Sequence, residues 1–367
     1  MIYLSKPDIT DKEKKAVLDV LDSGMLASGP KVKEFEQKFA KYNDVKHAIC
    51  VSNGTTALHA GLLAAGVEAG DKIITTPFTF IATGNSILFC GGKVIFADID
   101  EKSFNLDPNK VEDILKKQND IKAIMLVHLY GNACDMEAFL YLSEKYGVKL
   151  FEDCAQSVGA TYKEKMTGTF GEFGTFSFYA TKNMMTGEGG MVITSDDKIA
   201  ENVRKIINHG RSDRYFHTQL GYNFRMMDLQ AALGVVQLER VEEFIQKRTR
   251  NAEYFNENLK DLDWLKLPVL SSKIASSATC RHVFHQYTLR IESGDRDKFV
   301  DFLNANGVNA TPIYPIPLNK QPIYETIEKF DCLVAEKMAN EVVCLPVHTK
   351  LAEADLSKIV ETIKRFK

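Results

Sequence analysis

No run of about 18 consecutive apolar residues occurs in the 367-residue chain, so nothing in it reads as a helix that spans a bilayer. The opening Met1-Ile2-Tyr3-Leu4-Ser5-Lys6-Pro7 has no basic region ahead of an apolar stretch, the mark of an export signal, and a cytoplasmic location is expected. A block rich in lysine or arginine is missing too: 46 basic and 49 acidic residues give a formal net charge of -3, spread along the chain. Nucleic acid and anionic membrane surfaces are therefore not expected partners. Seven cysteines stand at positions 50, 90, 134, 154, 280, 332 and 344, without a C-x-x-C pair or a histidine cluster beside them. Cytosolic thiols fit that scatter better than disulfides, and no metal is expected. No internal repeat or low-complexity linker is visible, and no G-x-G-x-x-G follows the first strand-like segment, which counts against a dinucleotide-binding unit.

What is present is enough apolar sequence for more than one core. With 45% hydrophobic and 26% charged residues at this length, two domains are expected. Short apolar runs at His47–Ser52, Lys72–Thr75, Lys93–Ala97, Ala123–Val127, Val148–Phe151, Gly174–Phe178 and Met191–Thr194 read as buried strands. Helical stretches such as Thr56–Ala65 and Met136–Lys145 lie between them. This alternation predicts an α/β fold with a largely parallel seven-stranded sheet. From Asp228 onward Leu229, Leu233, Val236, Val241, Phe244, Ile245, Ala252 and Phe255 recur at helical steps. That spacing predicts one long helix of about 27 residues linking the two domains. Beyond it Val283–Ile291 alternates like a strand, Arg296–Ala305 reads as a helix and Asp355–Phe366 as a terminal helix, as in a small α+β domain. The expected partition is a large domain over 1–240 and a small one over 241–367, with roughly the first 25 residues packing on the small domain.

Three features carry chemistry. Lys182 sits in Phe176-Ser177-Phe178-Tyr179-Ala180-Thr181-Lys182-Asn183, ahead of Thr186-Gly187-Glu188-Gly189-Gly190 and flanked by aromatics and glycines rather than charges. A lysine in a partly desolvated pocket loses its proton more readily and can attack an aldehyde. Asp153 lies at the end of a strand-like run, where open α/β sheets bind ligands, and a carboxylate there can hold a pyridine nitrogen protonated. Ser52-Asn53-Gly54-Thr55-Thr56 reads as a turn opening a helix, whose free N–H groups attract phosphate. Each has a bland alternative: a surface loop lysine, a strand-end cap or ion pair, and a plain Ser/Thr helix cap. Their conjunction points to pyridoxal 5'-phosphate chemistry.

These residues, with Gly29-Pro30, Phe35-Glu36, Pro77-Phe78-Thr79-Phe80, Val127-His128-Leu129-Tyr130-Gly131, Glu152-Asp153, Gly221-Tyr222-Asn223-Phe224-Arg225 and Tyr314-Pro315, resemble the DegT-type sugar-nucleotide aminotransferases. That family is a branch of the aspartate-aminotransferase (type I) fold, and the likeness runs over nearly the whole chain. The resemblance implies a three-layer fold in which Lys182 forms the Schiff base with pyridoxal phosphate, Asp153 meets its ring nitrogen and Phe80 stacks on the ring. It implies that Gln156 lies near the ring's 3-hydroxyl, that Gly54, Thr55 and Ser177 hold the phosphate, and that Asn223 reaches that phosphate from the other subunit of a homodimer. His128, His209, Arg225 and Tyr314 are candidates for the substrate side, each with a packing role equally open.

The reaction implied is amino transfer from an amino acid donor, L-glutamate by resemblance, to a nucleotide-linked keto-deoxy sugar. Thr186-Gly187-Glu188-Gly189-Gly190 looks like the segment of members that aminate C4, whereas a glutamine at 156 is frequent in those that aminate C3. Two rivals share the fold: a sugar dehydrase, whose relatives carry histidine where this chain has Lys182, and a non-catalytic regulator that binds the cofactor as a ligand.

Overall fold

The computed structural model of the chain describes residues 1–269, 280–292, 294–327 and 330–366. Seven strands form its main sheet: β1 (His47–Val51), β2 (Lys72–Thr75), β3 (Lys93–Phe96), β4 (Ile121–Val127), β5 (Lys149–Asp153), β6 (Phe173–Ser177) and β7 (Gly190–Thr194). Their spatial order is β1-β7-β6-β5-β4-β2-β3. Only β7 runs against its neighbours; every other pairing is parallel. Along β4, Ala123, Met125 and Val127 enter one apolar cluster while Ile124 and Leu126 enter another on the opposite face. Both faces of the sheet are thus covered, which is why its strands read as continuous apolar runs rather than alternating ones. Because β1, β4, β5 and β6 are co-directional, the residues that follow Val51, Val127, Asp153 and Ser177 emerge along a single edge.

A second core gathers Phe255, Leu259, Tyr287, Leu289, Phe299, Val343 and Ile359 around a three-stranded antiparallel sheet of Leu265–Lys266, Tyr287–Ile291 and Val342–Leu345. Ile2 joins this core and pairs with Val308. The helix Asp11–Ser23 instead packs on Asp228–Glu239. Leu318, Tyr324, Cys332, Ala335 and Met338 pack into the main sheet's cluster despite their late position in the chain.

Two expectations need correction. The single long helix from Asp228 is two, Asp228–Glu239 and Val241–Leu259, separated at Arg240, where φ is -106° and ψ -1°. Leu238 and Val241 share one buried cluster across the break, so the apolar spacing keeps its phase and conceals it. Arg240 is drawn aside by Glu13 and Asp8, at 2.7 and 3.1 Å. The strand expected over Val283–Ile291 begins only at Tyr287, because Phe284 takes a left-handed φ of 44° that breaks the extended ladder. Among the described residues no helix is long and apolar enough to cross a membrane.

Candidate active site

A cavity of about 620 Å³ opens at the carboxyl edge of the main sheet, where loops from both cores meet. One wall is the start of the helix Gly54–Ala64. Asn53 caps that helix, its side chain accepting the Thr56 N–H at 2.9 Å, and its carbonyl accepts the N–H of Ala57. Among the described residues the amides of Gly54 and Thr55 have no protein acceptor, and both residues line the cavity. Two free N–H groups at the positive end of a helix make an anion cradle. The close packing there demands small residues. A Cβ at Gly54 would stand 2.8 Å from the Cβ of Ser177, and one at Gly190 would stand 2.4 Å from the carbonyl oxygen of Asn53. Ser177, at the end of β6, faces the same cradle.

Asp153 ends β5 and lies on the cavity floor, 4% exposed. Its Oδ1 accepts the Ala155 N–H at 3.0 Å and its Oδ2 the Thr83 hydroxyl at 2.8 Å. Burial pushes its carboxyl above the usual range, opposed by those two donors and by the positive charge of Lys182. Lys182 itself sits in a tight turn, with its N–H on the Tyr179 carbonyl and Thr186 N–H on that of Phe178. Burial lowers its pKa to about 8 although Asp153 pulls the other way. The amine thereby carries a far larger neutral fraction near physiological pH than an ordinary lysine, beside a buried carboxylate.

Gln156 is fixed at both ends: its Oε1 accepts the Tyr130 N–H at 2.8 Å and its Nε2 donates to the Tyr314 hydroxyl at 3.1 Å. Phe80 lines the mouth at 58% exposure, its ring centroid 6.3 Å from that of Tyr314. Thus Gly54, Thr55, Phe80, Asp153, Gln156, Ser177, Lys182 and Tyr314 share one cavity.

The other four candidates lie elsewhere. His128, expected on the substrate side, is wholly buried behind the cavity. Its Nδ1 accepts the Cys134 N–H at 3.1 Å, so the ring proton sits on Nε2, 2.9 Å from Glu152. The carboxylate of Glu152 also accepts the N–H groups of Gly168, Phe170 and Gly171. His128, Glu152 and Cys154 come within 4.8 Å of one another, but a carboxylate already holding four donors serves as a tie for the 168–171 loop. His209 is exposed, with a left-handed φ of 61°, and Arg225 donates to Asn208 at 2.7 Å; neither lines this chain's cavity. Asn223, exposed and bridged to Asn208, is also off its own chain's cavity.

Reading the sequence missed His285 and Gln286, which the second core inserts into the cavity, and Thr83 beneath Asp153. His285 is held through Nδ1 to Asn183 Oδ1 at 3.2 Å; burial, then the charges of Lys182 and Arg248, keep it neutral. No motif flags it, since it enters from a segment some 100 residues after Lys182.

The family model described as the DegT/DnrJ/EryC1/StrS aminotransferase family matches residues 7–364. The chain belongs to this family. Within this aminotransferase family it is 37% identical to a GDP-perosamine synthase of Caulobacter vibrioides, over 99% of this chain and 97% of the other. It is 39% identical to a pleiotropic regulatory protein of Geobacillus stearothermophilus, over 96% and 95%. Among solved structures it superposes on Spr1654 of Streptococcus pneumoniae in its PLP-form, with a TM-score of 0.90 at 26% identity, covering 99% of this chain and 97% of that one. That protein has also been solved in a PMP-form. The chain is a transaminase of this fold, and the family implies pyridoxal phosphate as its cofactor.

Proposed function

We propose that this aminotransferase uses pyridoxal 5'-phosphate to move an amino group from an amino acid, L-glutamate, to a nucleotide-linked keto-deoxy sugar, at C4. The observation that carries the reading is a single cavity joining a neutralisable lysine, a buried carboxylate and a helix N-terminus with two free amides. The residues fit the cofactor: Gly54, Thr55 and Ser177 would hold its phosphate, Asp153 its ring nitrogen and Lys182 its aldehyde carbon. When bound, that group supplies a carbonyl that takes up an amino group and a ring that accepts the electron pair left when a neighbouring C–H bond breaks. The protein's part is proton handling and placement. Lys182, once its amine is released, can take the proton from the donor's α-carbon and return it elsewhere, because the former attachment point is within reach of the reacting carbon. Asp153 holds a compensating negative charge at the far side of the ring. Gln156, clamped by Tyr130 and Tyr314, presents its amide at a fixed place beside it.

C4 is favoured because the five-residue segment Thr186–Gly190 resembles C4-aminating members, while Gln156 favours C3 as the second reading. The sugar is proposed by analogy with the nucleotide-linked product named for the Caulobacter relative. Purified protein would be incubated with glutamate and a panel of nucleotide-linked 3-keto and 4-keto sugars, and the amino sugar identified by mass and proton couplings. A 4-amino product is expected; a 3-amino product overturns the regiochemistry. Loss of the bound cofactor's absorbance on adding glutamate alone separates a transaminase from a regulator such as the Geobacillus relative's name describes.

A further inference from the structure

The carboxylate of Asp153 is held from outside its own strand. Thr83, in the first turn of the helix Ala82–Phe89, donates its hydroxyl to Oδ2 at 2.8 Å, and Thr79 Oγ1 lies 3.1 Å from Thr83 Oγ1. The three side chains are buried, with 4% exposure for Asp153, 1% for Thr83 and 3% for Thr79. A hydroxyl has one proton to give. That of Thr83 is committed to the carboxylate, so Thr79 is the donor to Thr83, and the chain of bonds runs from Thr79 through Thr83 to Asp153. With Ala155 N–H on Oδ1, each carboxylate oxygen keeps one lone-pair direction engaged and the plane of the group is fixed. Thr79, Thr83 and Asp153 all border the cavity.

We propose that Thr83, oriented by Thr79, is a positioning residue for transamination: its hydroxyl fixes the Asp153 carboxylate and keeps it ionised, so that the proton shared with the cofactor's ring nitrogen stays on nitrogen. This rests on the cofactor reading given above. The physical need is plain, since burial favours a protonated Asp153, and beside the Ala155 N–H and the charges of Lys182 and His128 the Thr83 hydroxyl is, among the described residues, the one side-chain hydrogen bond that favours its charged form. Thr83 spends nothing on its own helix that a valine would not also satisfy, whereas a valine cannot donate.

The test compares the wild type with Thr83→Val, Thr83→Ser and Thr79→Val, each loaded with pyridoxal phosphate carrying ¹⁵N in the ring. Removing a hydrogen bond to a charged group is expected to lower kcat roughly tenfold to a hundredfold with KM little changed. The ring-nitrogen resonance of Thr83→Val should move toward the unprotonated position, Thr83→Ser should restore both readouts, and Thr79→Val should show a smaller shift of the same sign. A folded, loaded Thr83→Val with an unmoved resonance overturns the proposal. If Thr83→Val does not fold, an unmoved resonance in Thr79→Val overturns it instead. A wild type that takes up no cofactor at Lys182 sinks the parent reading and this one together; a normally loaded wild type with unmoved mutant resonances sinks this one alone.

Discussion

Lys182 and Asp153 perturb one another's charge within one buried site, and each supplies a prediction. Burial lowers the lysine to about 8 against the partial resistance of Asp153, so its neutral fraction rises as pH climbs through about 8 and levels off above. The rate at which cofactor-free protein captures pyridoxal phosphate at position 182, read by reduction and mass spectrometry, should follow that curve. An ordinary lysine would keep gaining to above pH 10; a rate that does so here would mean the amine is not desolvated. Lys182→Ala should abolish turnover, by several orders of magnitude, while the fold and much of the cofactor affinity survive, because the phosphate cradle does not involve the amine. Asp153→Asn keeps shape and removes charge. Activity is expected to fall by orders of magnitude with thermal stability nearly unchanged, and an active but severely destabilised variant would reassign Asp153 to a structural cap.

At the scale of the element, the helix Gly54–Ala64 works because its first turn comes within van der Waals contact of β6 and β7. Gly54→Ala would press a methyl against Ser177, whose Cβ is 2.8 Å from the added atom. Either Ser177 or the helix terminus must retreat from the cradle. Weaker retention of pyridoxal phosphate, by about tenfold or more, is expected on dialysis against phosphate, with a loss of roughly 1–3 kcal/mol in stability. Unchanged retention would show that the phosphate binds elsewhere. The break at Arg240 belongs to this scale as well. Apolar spacing reports which face of a helix is buried, and a polar residue that leaves helical geometry without disturbing that face is invisible to it.

For the molecule as a whole, Asp8 ties Arg240, at the break between the two helices, to Thr349 and Lys350 beside the second core. Asp8 meets Arg240 at 3.1 Å and Lys350 at 2.8 Å and accepts the Thr349 hydroxyl at 2.9 Å, while Glu13 meets Arg240 at 2.7 Å. Burial would raise both acids, but Lys350, Thr349 and Arg240 for Asp8, and Thr10, Arg240 and Gln237 for Glu13, bring each down to about 2. A depressed carboxylate contributes stability that is complete above its unfolded pKa and vanishes as pH falls through its folded one. Asp8→Asn should therefore cost about 1–2 kcal/mol at pH 7, and the gap to wild type should close between about pH 5 and pH 2. A gap independent of pH would mean that shape, not charge, is what matters. The proposed homodimer is tested by mixing inactive Lys182→Ala with inactive Asn223→Asp. One site of each mixed dimer would carry both defects and the other neither, so activity should reappear on subunit exchange. Heterodimers without activity would return Asn223 to a structural turn within its own chain.

Much of this was legible in the residues themselves. The seven buried strands announce themselves because a sheet covered on both faces demands unbroken apolar runs, and Asp153 and Gly54-Thr55 fall at a strand end and a helix start that local spacing reveals, with Lys182 in the turn that follows a strand. What local spacing does not encode is which strand ends become neighbours and in what direction side chains emerge. His128 carries the same sequence signal as a cavity residue, yet it points into the layer behind and is spent on Glu152. His285, with no signal at all, reaches the cavity because the second core folds back over the sheet edge. Thr83 and Asp153 are 70 positions apart and meet only when packing brings the first turn of the helix Ala82–Phe89 to the end of β5. The sequence determined the elements and the chemistry available to them, since those depend on neighbours one to four residues away. The tertiary structure decided which groups share the cavity, since burial and hydrogen-bond partners depend on neighbours in space.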